Sequence, residues 1–172
     1  MPAHPLQASG VMGGGFTHES TYNETKEWYT PPIVFDCLGL EFDLDPCSPA
    51  GITTHVPARK RYTIVDDGLA QKWEGLVWMN PPYGSDTPKW MAKLAAHGNG
   101  IALVFARTDT GWFHRYATKA HALCFIAGRV KFLKPDGTEG GTPGAGSMLI
   151  GYGEVAKKAL QRSGLGFTVA LR

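Results

Sequence analysis

The sequence predicts an α/β fold, a sandwich in which helices cover a mostly parallel central sheet with an antiparallel element at one edge. Three observations support this class. Strand-like and helix-like segments alternate along most of the chain. Residues 101–106 form a continuous apolar run, typical of a strand that helices cover on both faces. Several strand patterns follow one another late in the chain, which favours an antiparallel edge.

Five segments make up the first half of the predicted domain. A helix is expected over 30–40, where two prolines suit the first turn and apolar residues follow. Residues 42–45 predict a short strand, which Pro46 ends. The long stretch 48–72 predicts a loop because it holds Gly, Pro and charged residues without apolar periodicity. A strand at 76–79 and a helix from 87 to about 98 follow.

The second half continues the alternation. After the strand at 101–106 the patterns predict a helix at 110–119, strands at 122–127 and 130–133, a glycine-rich loop at 134–146, a strand at 148–152, a helix at 154–161 and a closing strand at 167–171. No internal repeat is visible.

Length and composition bound the kind of protein. The 172 residues suffice for one sizeable core, so we expect one domain over 25–172, preceded by a flexible arm at 1–24 that contains a run of three glycines. The formal charge of +2 excludes a strongly basic, tail-driven nucleic-acid binder. No apolar window is long enough to span a membrane, and no signal-peptide core is visible, so we expect a cytoplasmic protein.

Cysteine and histidine spacing gives no sign of a metal site. Cys37, Cys47 and Cys124 are odd in number and lack paired CxxC spacing, which indicates reduced thiols rather than a disulfide frame. The six histidines are scattered. We therefore expect no metal.

The most specific chemical pattern is Asn80-Pro81-Pro82-Tyr83, directly after the strand at 76–79. Asn-Pro and Pro-Pro also occur in ordinary turns. At the carboxyl end of a strand in an α/β sheet, however, ligands are commonly bound. An amide, backbone carbonyls without competing N–H groups and a flat ring suit the binding of a planar amine.

The order of several motifs identifies a family. Trp28-x-Thr30-Pro31, Phe42-Asp43-Leu44-Asp45-Pro46, Asp67-Gly68-Leu69 and Trp78-Met79-Asn80-Pro81-Pro82-Tyr83 occur in this order, followed by Arg107-x-x-Thr110-x-Trp112-Phe113, Gly128-Arg129-x-x-Phe132 and Gly146-Ser147-Met148. This order resembles the phage-type N-6-adenine DNA methyltransferases, a Dam-like family. The resemblance covers nearly everything after about residue 25. It implies a Rossmann-like methyltransferase sandwich and a bacterial host cell.

The resemblance implies that S-adenosyl-L-methionine is the cofactor. It places Trp28, Thr30 and Pro31 beside the methionine end, and Asp45-Pro46 at the first cofactor-binding strand. The acid that accepts a hydrogen bond from the cofactor's adenine amine corresponds to Asp67, with Asp66 as a close rival.

The implied partner is DNA, and the implied reaction is methylation of a flipped adenine. The carbonyl groups of Asn80 and Pro81 would accept hydrogen bonds from the two N–H groups of the adenine amine. Pro82 completes the catalytic motif, and Tyr83 would stack on the base. The candidate DNA contacts are Arg59, Lys60, Arg61, Arg107 and Arg129, with Arg115 and Lys131 as further basic residues.

The turn 47–51 holds one glycine where the family has a glycine-rich turn, and little room remains for a second strand, so no ribose ligand is assigned.

Two alternatives to DNA methylation remain open at this point. Protein-glutamine methyltransferases also use an Asn-Pro-Pro-Tyr motif, and an inactive DNA- or cofactor-binding relative is a further alternative. The sequence leaves the recognition site, the strand preference and the oligomeric state undetermined.

Overall fold

Seven strands form one mixed β-sheet in the computed structural model, which describes residues 29–51, 53–141 and 143–172. The strands are β1 (Phe42–Asp45), β2 (Ala58–Arg61), β3 (Val77–Met79), β4 (Gly100–Phe105), β5 (Ala122–Ile126), β6 (Ser147–Tyr152) and β7 (Gly166–Ala170). They lie in the order β2-β1-β3-β4-β6-β5-β7. The arm expected at 1–24 and the candidate residue Trp28 fall outside the described residues.

The sheet has a parallel half and an antiparallel half. The neighbours β2, β1, β3 and β4 are all parallel to one another. The pairs β4–β6, β6–β5 and β5–β7 are antiparallel, so the antiparallel part is larger than the edge element expected from sequence. Because β5 and β4 both run opposite to β6, the carboxyl ends of β1 to β5 all lie at the same edge of the sheet.

Four α-helices in the described ranges cover both faces of the sheet. They are α1 (Pro32–Leu38), α2 (Thr87–His97), α3 (Gly111–Tyr116), which continues into a 3₁₀ turn (Ala117–Lys119), and α4 (Glu154–Arg162). Helices α1 and α4 pack with Trp78 and Leu103 on one face, whereas α2 and α3 pack with Met79 and Val104 on the other. The α/β class is thus confirmed, while the Rossmann-like assignment stays a prediction.

Most elements begin and end where local chemistry predicts. Helix α1 carries proline at its start and ends at Gly39, which has φ 59°. Helix α2 ends at Gly98 with φ 75°, as the glycine signal indicates. None of the helices in the described ranges is long and apolar enough to cross a bilayer.

Two sequence-based assignments are wrong. The loop expected over 48–72 contains strand β2, an edge strand with largely exposed side chains and therefore no apolar alternation. The strand expected at 130–133 is absent, because Gly128 at φ 79° turns the chain away from the sheet. Val130 and Phe132 are buried against the α1 and α4 face instead, and only Leu133 forms isolated bridges.

Candidate active site

The candidate residues gather at the carboxyl ends of the parallel strands. Asp45 is the last residue of β1, and Asn80 directly follows β3. Arg107 lies just beyond β4, and Arg129 lies just beyond β5. Since these strands all point the same way, the sheet brings the four positions to one edge, where α/β proteins bind ligands.

Thr30 fixes the orientation of the Asn80 amide. The Asn80 Nδ2 group donates to Thr30 Oγ1 at 3.4 Å, across a sequence separation of 50 residues. Thr30 is buried, because the preceding Tyr29 exchanges backbone hydrogen bonds with Leu133 and the following Pro31 caps α1. Thr30 is therefore not the cap of α1: it accepts from the amide nitrogen and leaves the Oδ1 atom facing the other way.

The two prolines that follow Asn80 differ in environment. Pro81 is buried, and within the described residues its carbonyl accepts no hydrogen bond. Pro82 is exposed, and its carbonyl accepts a 3.3 Å hydrogen bond from Thr87 Oγ1 at the start of α2. Neither proline brings an N–H donor to this edge. Of the two carbonyls, that of Pro81 is the one without a donor among the described residues.

Tyr83 lies beside Asn80 in an aromatic cluster. Its hydroxyl donates to Asn80 Oδ1 at 2.9 Å. Its ring stacks on Phe105, with centroids 4.3 Å apart and planes 23° apart, and meets the edge of Phe132 at 6.4 Å. Burial raises the pKa of the phenol well above its usual value, so the hydroxyl stays protonated and donates.

Asp45 is a buried carboxyl group, only 3% exposed. Desolvation raises its pKa to about 6, although a 3.0 Å hydrogen bond from the Cys47 N–H and the charge of Arg61 act in the opposite direction. A positively charged ligand beside this carboxyl group would favour its ionised form.

The first part of the turn after β1 has its backbone donors engaged within the protein. The Cys47 N–H bonds to Asp45, the Ser48 N–H bonds to the Tyr62 carbonyl at 2.9 Å, and prolines occupy positions 46 and 49. Anion-binding turns need free N–H groups, so residues 46–49 do not suit a phosphate.

The loop that carries Asp66 and Asp67 packs against this turn. A Cβ atom on Gly68 would lie 2.2 Å from the Pro46 carbonyl oxygen, so only glycine allows the approach. Trp73 secures the loop by donating its Nε1–H to the Gly68 carbonyl at 2.8 Å. Close packing thus holds the residue after this acidic pair against the residue after Asp45.

The two adjacent acids differ in what they bind. The Asp66 carboxylate accepts hydrogen bonds from the Thr63 N–H and hydroxyl at 2.8 and 2.9 Å, which lowers its pKa. Asp67 is exposed at a strained φ of 52°, and no described residue donates to its carboxylate. Asp67 is therefore the better placed of the two to bind a ligand, while its cofactor role remains a prediction.

The candidate DNA contacts Arg59, Lys60 and Arg61 lie on strand β2 rather than in the loop predicted over 48–72. Arg59 pairs with Asp43 at 3.6 Å and with Glu41 at 3.8 Å, both near the start of β1. Lys60 lies 4.7 Å above the Tyr62 ring. Only Arg61 lies at the carboxyl end of the strand. Strand β2 therefore ends in a basic residue and provides no carboxylate at its end for a ribose.

Arg129 is the basic side chain that the fold presents most directly at the site edge. A Cβ atom on Gly146 would lie 3.0 Å from Arg129 Nη1, so the glycine leaves room for the guanidinium group. Gly146 in turn accepts a hydrogen bond from the Ala106 N–H beside the end of β4. Arg107 is exposed at the same end of β4.

The sequence did not single out Phe105. It is the last residue of β4, on the face that carries Trp78 and Leu103. Its position at the carboxyl end of a strand is the same signal that identified Asn80, and that signal would have found it. In the described part of the chain, no three His, Cys, Asp or Glu side chains gather into a group that could hold a metal ion.

Comparison with known proteins identifies the family. The model of the family DNA N-6-adenine-methyltransferase (Dam) matches residues 18–159, which is most of the chain. No curated protein and no solved structure gives a match. The match covers β1 to β6, including every candidate residue of the sheet edge described above. The chain therefore belongs to the DNA N-6-adenine-methyltransferase (Dam) family.

Proposed function

We propose that this protein transfers a methyl group from S-adenosyl-L-methionine to the exocyclic amine of adenine in DNA. The family supports a methyltransferase that acts on adenine in DNA. The observation that carries the finer proposal is the pair of acceptors after β3, the Asn80 side-chain carbonyl and the Pro81 backbone carbonyl, beside the ring of Tyr83.

These acceptors suit the chemistry of an aromatic amine. The lone pair of such an amine is delocalised into the ring, which makes it a weak nucleophile. Two carbonyl groups that accept hydrogen bonds from both N–H groups draw the nitrogen toward tetrahedral geometry. They also stabilise the positive charge that develops on it. Thr30 contributes by holding Asn80 Nδ2, so that the carbonyl rather than the amino group of the amide meets the substrate.

The residues around Asp45 fit S-adenosyl-L-methionine. When bound, this cofactor supplies an electrophilic methyl group on a positively charged sulfur. Its ammonium group, ribose hydroxyls and adenine amine are all hydrogen-bond donors, and the edge offers the carboxylates of Asp45 and Asp67 together with the Thr30 hydroxyl. Pro31 and Pro46 flank these acceptors, and Asp66 is already engaged by Thr63.

The proposed substrate is an adenine turned out of the DNA stack, because the acceptors lie inside the protein edge and a base within a duplex cannot reach them. Arg107 and Arg129 are proposed to bind phosphates near the flipped base. Arg61 ends the edge strand β2, which β1 and β3 separate from β4, and its guanidinium group donates to the Val56 carbonyl at 2.7 Å, so it is a weaker candidate. Arg59 and Lys60 remain weaker candidates, since Arg59 is held by two acids.

Labelled cofactor and bulk DNA test the proposal. We expect label in DNA as N-6-methyladenine, and we expect Asn80→Ala to abolish transfer while cofactor binding, measured by calorimetry, persists. Label that appears only in protein would contradict the choice of substrate. An equal loss of transfer and cofactor binding in Asn80→Ala would mean that Asn80 is structural.

A further inference from the structure

The site contains a protein group in the place that the proposed function reserves for a planar base. Adenine needs a stacking surface and an acceptor for its amine. In this structure Tyr83 has both, because its ring stacks on Phe105 and its hydroxyl donates to Asn80 Oδ1 at 2.9 Å. The acceptor assigned to the substrate is thus already engaged by a neighbouring donor.

The gap between the two rings is too narrow for a base. Their centroids lie 4.3 Å apart, which is direct contact. A base stacked between them would need about twice the 3.4 Å spacing of bases in a strand, roughly 7 Å. The rings must therefore separate before a base can lie between them.

One of these rings is fixed, whereas the other lies in a loop. Phe105 ends β4 and pairs with Ser147 of β6, so the sheet ladder holds its backbone. Tyr83 is followed by Gly84 at φ 125°, a conformation that favours glycine, and by the exposed residues 85 and 86 before α2 begins. We therefore expect the rings to separate by movement of Tyr83 and its loop away from Phe105.

We propose that the space between Tyr83 and Phe105 is the slot for the target base, closed by Tyr83 in the DNA-free protein, and that Phe105 contacts the flipped adenine. When the base enters, Asn80 Oδ1 exchanges the Tyr83 hydroxyl for the adenine amine, so the carbonyl keeps one donor throughout. The released phenol bonds to water. This inference rests on the proposed function and assigns Phe105 a stacking role on the side opposite Tyr83.

Two substitutions separate the parts of this slot. Phe105→Leu keeps an apolar side chain but removes the ring, and the loss of one stacking partner, 1–3 kcal/mol, corresponds to a roughly 5- to 150-fold fall in kcat/KM for DNA. Tyr83→Phe keeps the ring but removes the bond that closes the slot. Loss of one neutral hydrogen bond shifts an equilibrium constant by about 2- to 12-fold, so the equilibrium constant for base entry should increase by that factor.

Phe125→Leu is the matched control. Phe125 is a half-buried phenylalanine near the carboxyl end of β5, but it packs on the opposite face of the sheet from Phe105. This variant should match the original protein in methylation. Thermal unfolding of all three variants shows whether each is folded.

The experiment first maps methylated adenines in bulk DNA by sequencing, and then places 2-aminopurine at a mapped position of a short duplex. Fluorescence of this base rises when it leaves the stack, so the signal on protein addition reports entry into the slot. We expect a weaker apparent affinity for Phe105→Leu, a stronger one for Tyr83→Phe and no change for Phe125→Leu.

Three outcomes overturn the slot. A folded Phe105→Leu protein that retains full kcat/KM and full fluorescence change excludes Phe105 as a base contact. A fall in kcat for Tyr83→Phe without easier base entry shows that the hydroxyl positions Asn80 rather than closing the slot. An equal loss in Phe105→Leu and Phe125→Leu shows a general packing effect. Absence of methyl transfer to DNA by the unaltered protein would instead refute the proposed function itself.

Discussion

Replacing Asp45 with asparagine should stabilise the protein at neutral pH. The side chain is 3% exposed, and its burial raises the pKa from 3.8 to about 6. A buried carboxylate that is stabilised by too few partners costs free energy once it ionises. Asparagine keeps an oxygen that can accept the Cys47 N–H bond but carries no charge.

The sign and the size of the effect follow from proton linkage. The folded protein holds the Asp45 proton more tightly than the unfolded chain, so between pH 3.8 and about 6 rising pH favours unfolding. The shift from 3.8 to about 6 is about two pKa units, and at 1.36 kcal/mol per unit the full cost is about 3 kcal/mol. This cost is absent below pH 3.8 and complete above about pH 6.

Urea unfolding of both proteins across this pH range tests the reasoning, because all other titrating groups cancel in the difference. The free energy of unfolding of Asp45→Asn relative to the original protein should increase by about 3 kcal/mol between about pH 3 and about pH 8. Asp66→Asn is the control of opposite sign: hydrogen bonds from Thr63 lower the pKa of Asp66, so its loss should destabilise the protein more at neutral than at acid pH. A difference for Asp45→Asn that does not vary with pH would refute the assignment.

The same substitution should weaken cofactor binding. If Asp45 binds the cationic part of S-adenosyl-L-methionine, affinity in the original protein increases as pH rises through about 6, because the carboxylate then carries its charge. Asp45→Asn should lose both affinity and this pH dependence in calorimetry. Greater stability together with weaker binding is the combination expected when a site residue is retained for function at a cost in stability.

Three further substitutions test other parts of the site. Thr30→Val removes the acceptor of Asn80 Nδ2 and should lower kcat about 2- to 12-fold, the equivalent of one neutral hydrogen bond, whereas Thr30→Ser should restore it in the same methylation assay. Asp67→Ala should raise the Kd for the cofactor roughly 10- to 100-fold in calorimetry, the equivalent of a hydrogen bond to a charged group, and an unchanged Kd would remove Asp67 from the site. Gly146→Ala places a Cβ atom 3.0 Å from Arg129 Nη1 and should weaken DNA binding in the same direction as Arg129→Ala. Arg129→Ala should reduce the salt dependence of DNA binding by about one phosphate contact, Gly146→Ala should change it in the same direction, and the double variant should be no weaker than Arg129→Ala alone.

Apolar periodicity predicted the elements in which buried side chains recur at the spacing of a helix or a strand. The strand at β1 matches the expected residues 42–45, and α2 ends at the glycine that signals it. Strand β2 was not predicted from the sequence, because this edge strand exposes nearly all the side chains of Ala58-Arg59-Lys60-Arg61 and so shows no apolar alternation. The pattern at 130–133 misled for the opposite reason, since alternate burial of Val130 and Phe132 arises outside the sheet.

The site was predictable where it depends on strand ends and not where it depends on local hydrogen bonds or distant contacts. Asn80 follows β3, as the motif indicated. The difference between Asp66 and Asp67 comes from a Thr63 turn that two identical residue types cannot reveal. The stack of Tyr83 on Phe105 joins residues from two strand ends, and a single sequence contains no signal for that pairing.

Internal bonding of donors explains what kind of ligand this edge can bind. The Asn80 amino group is held by Thr30, and the N–H groups of Cys47 and Ser48 are held by Asp45 and by the Tyr62 carbonyl. The prolines at 46, 49, 81 and 82 contribute carbonyls without N–H groups. The acceptors of this edge are therefore concentrated at Asn80, Pro81 and Asp45, whereas the guanidinium donors of Arg107 and Arg129 lie beyond β4 and β5. A ligand that supplies donors, as an aromatic amine and a cationic cofactor both do, is complementary to these acceptors.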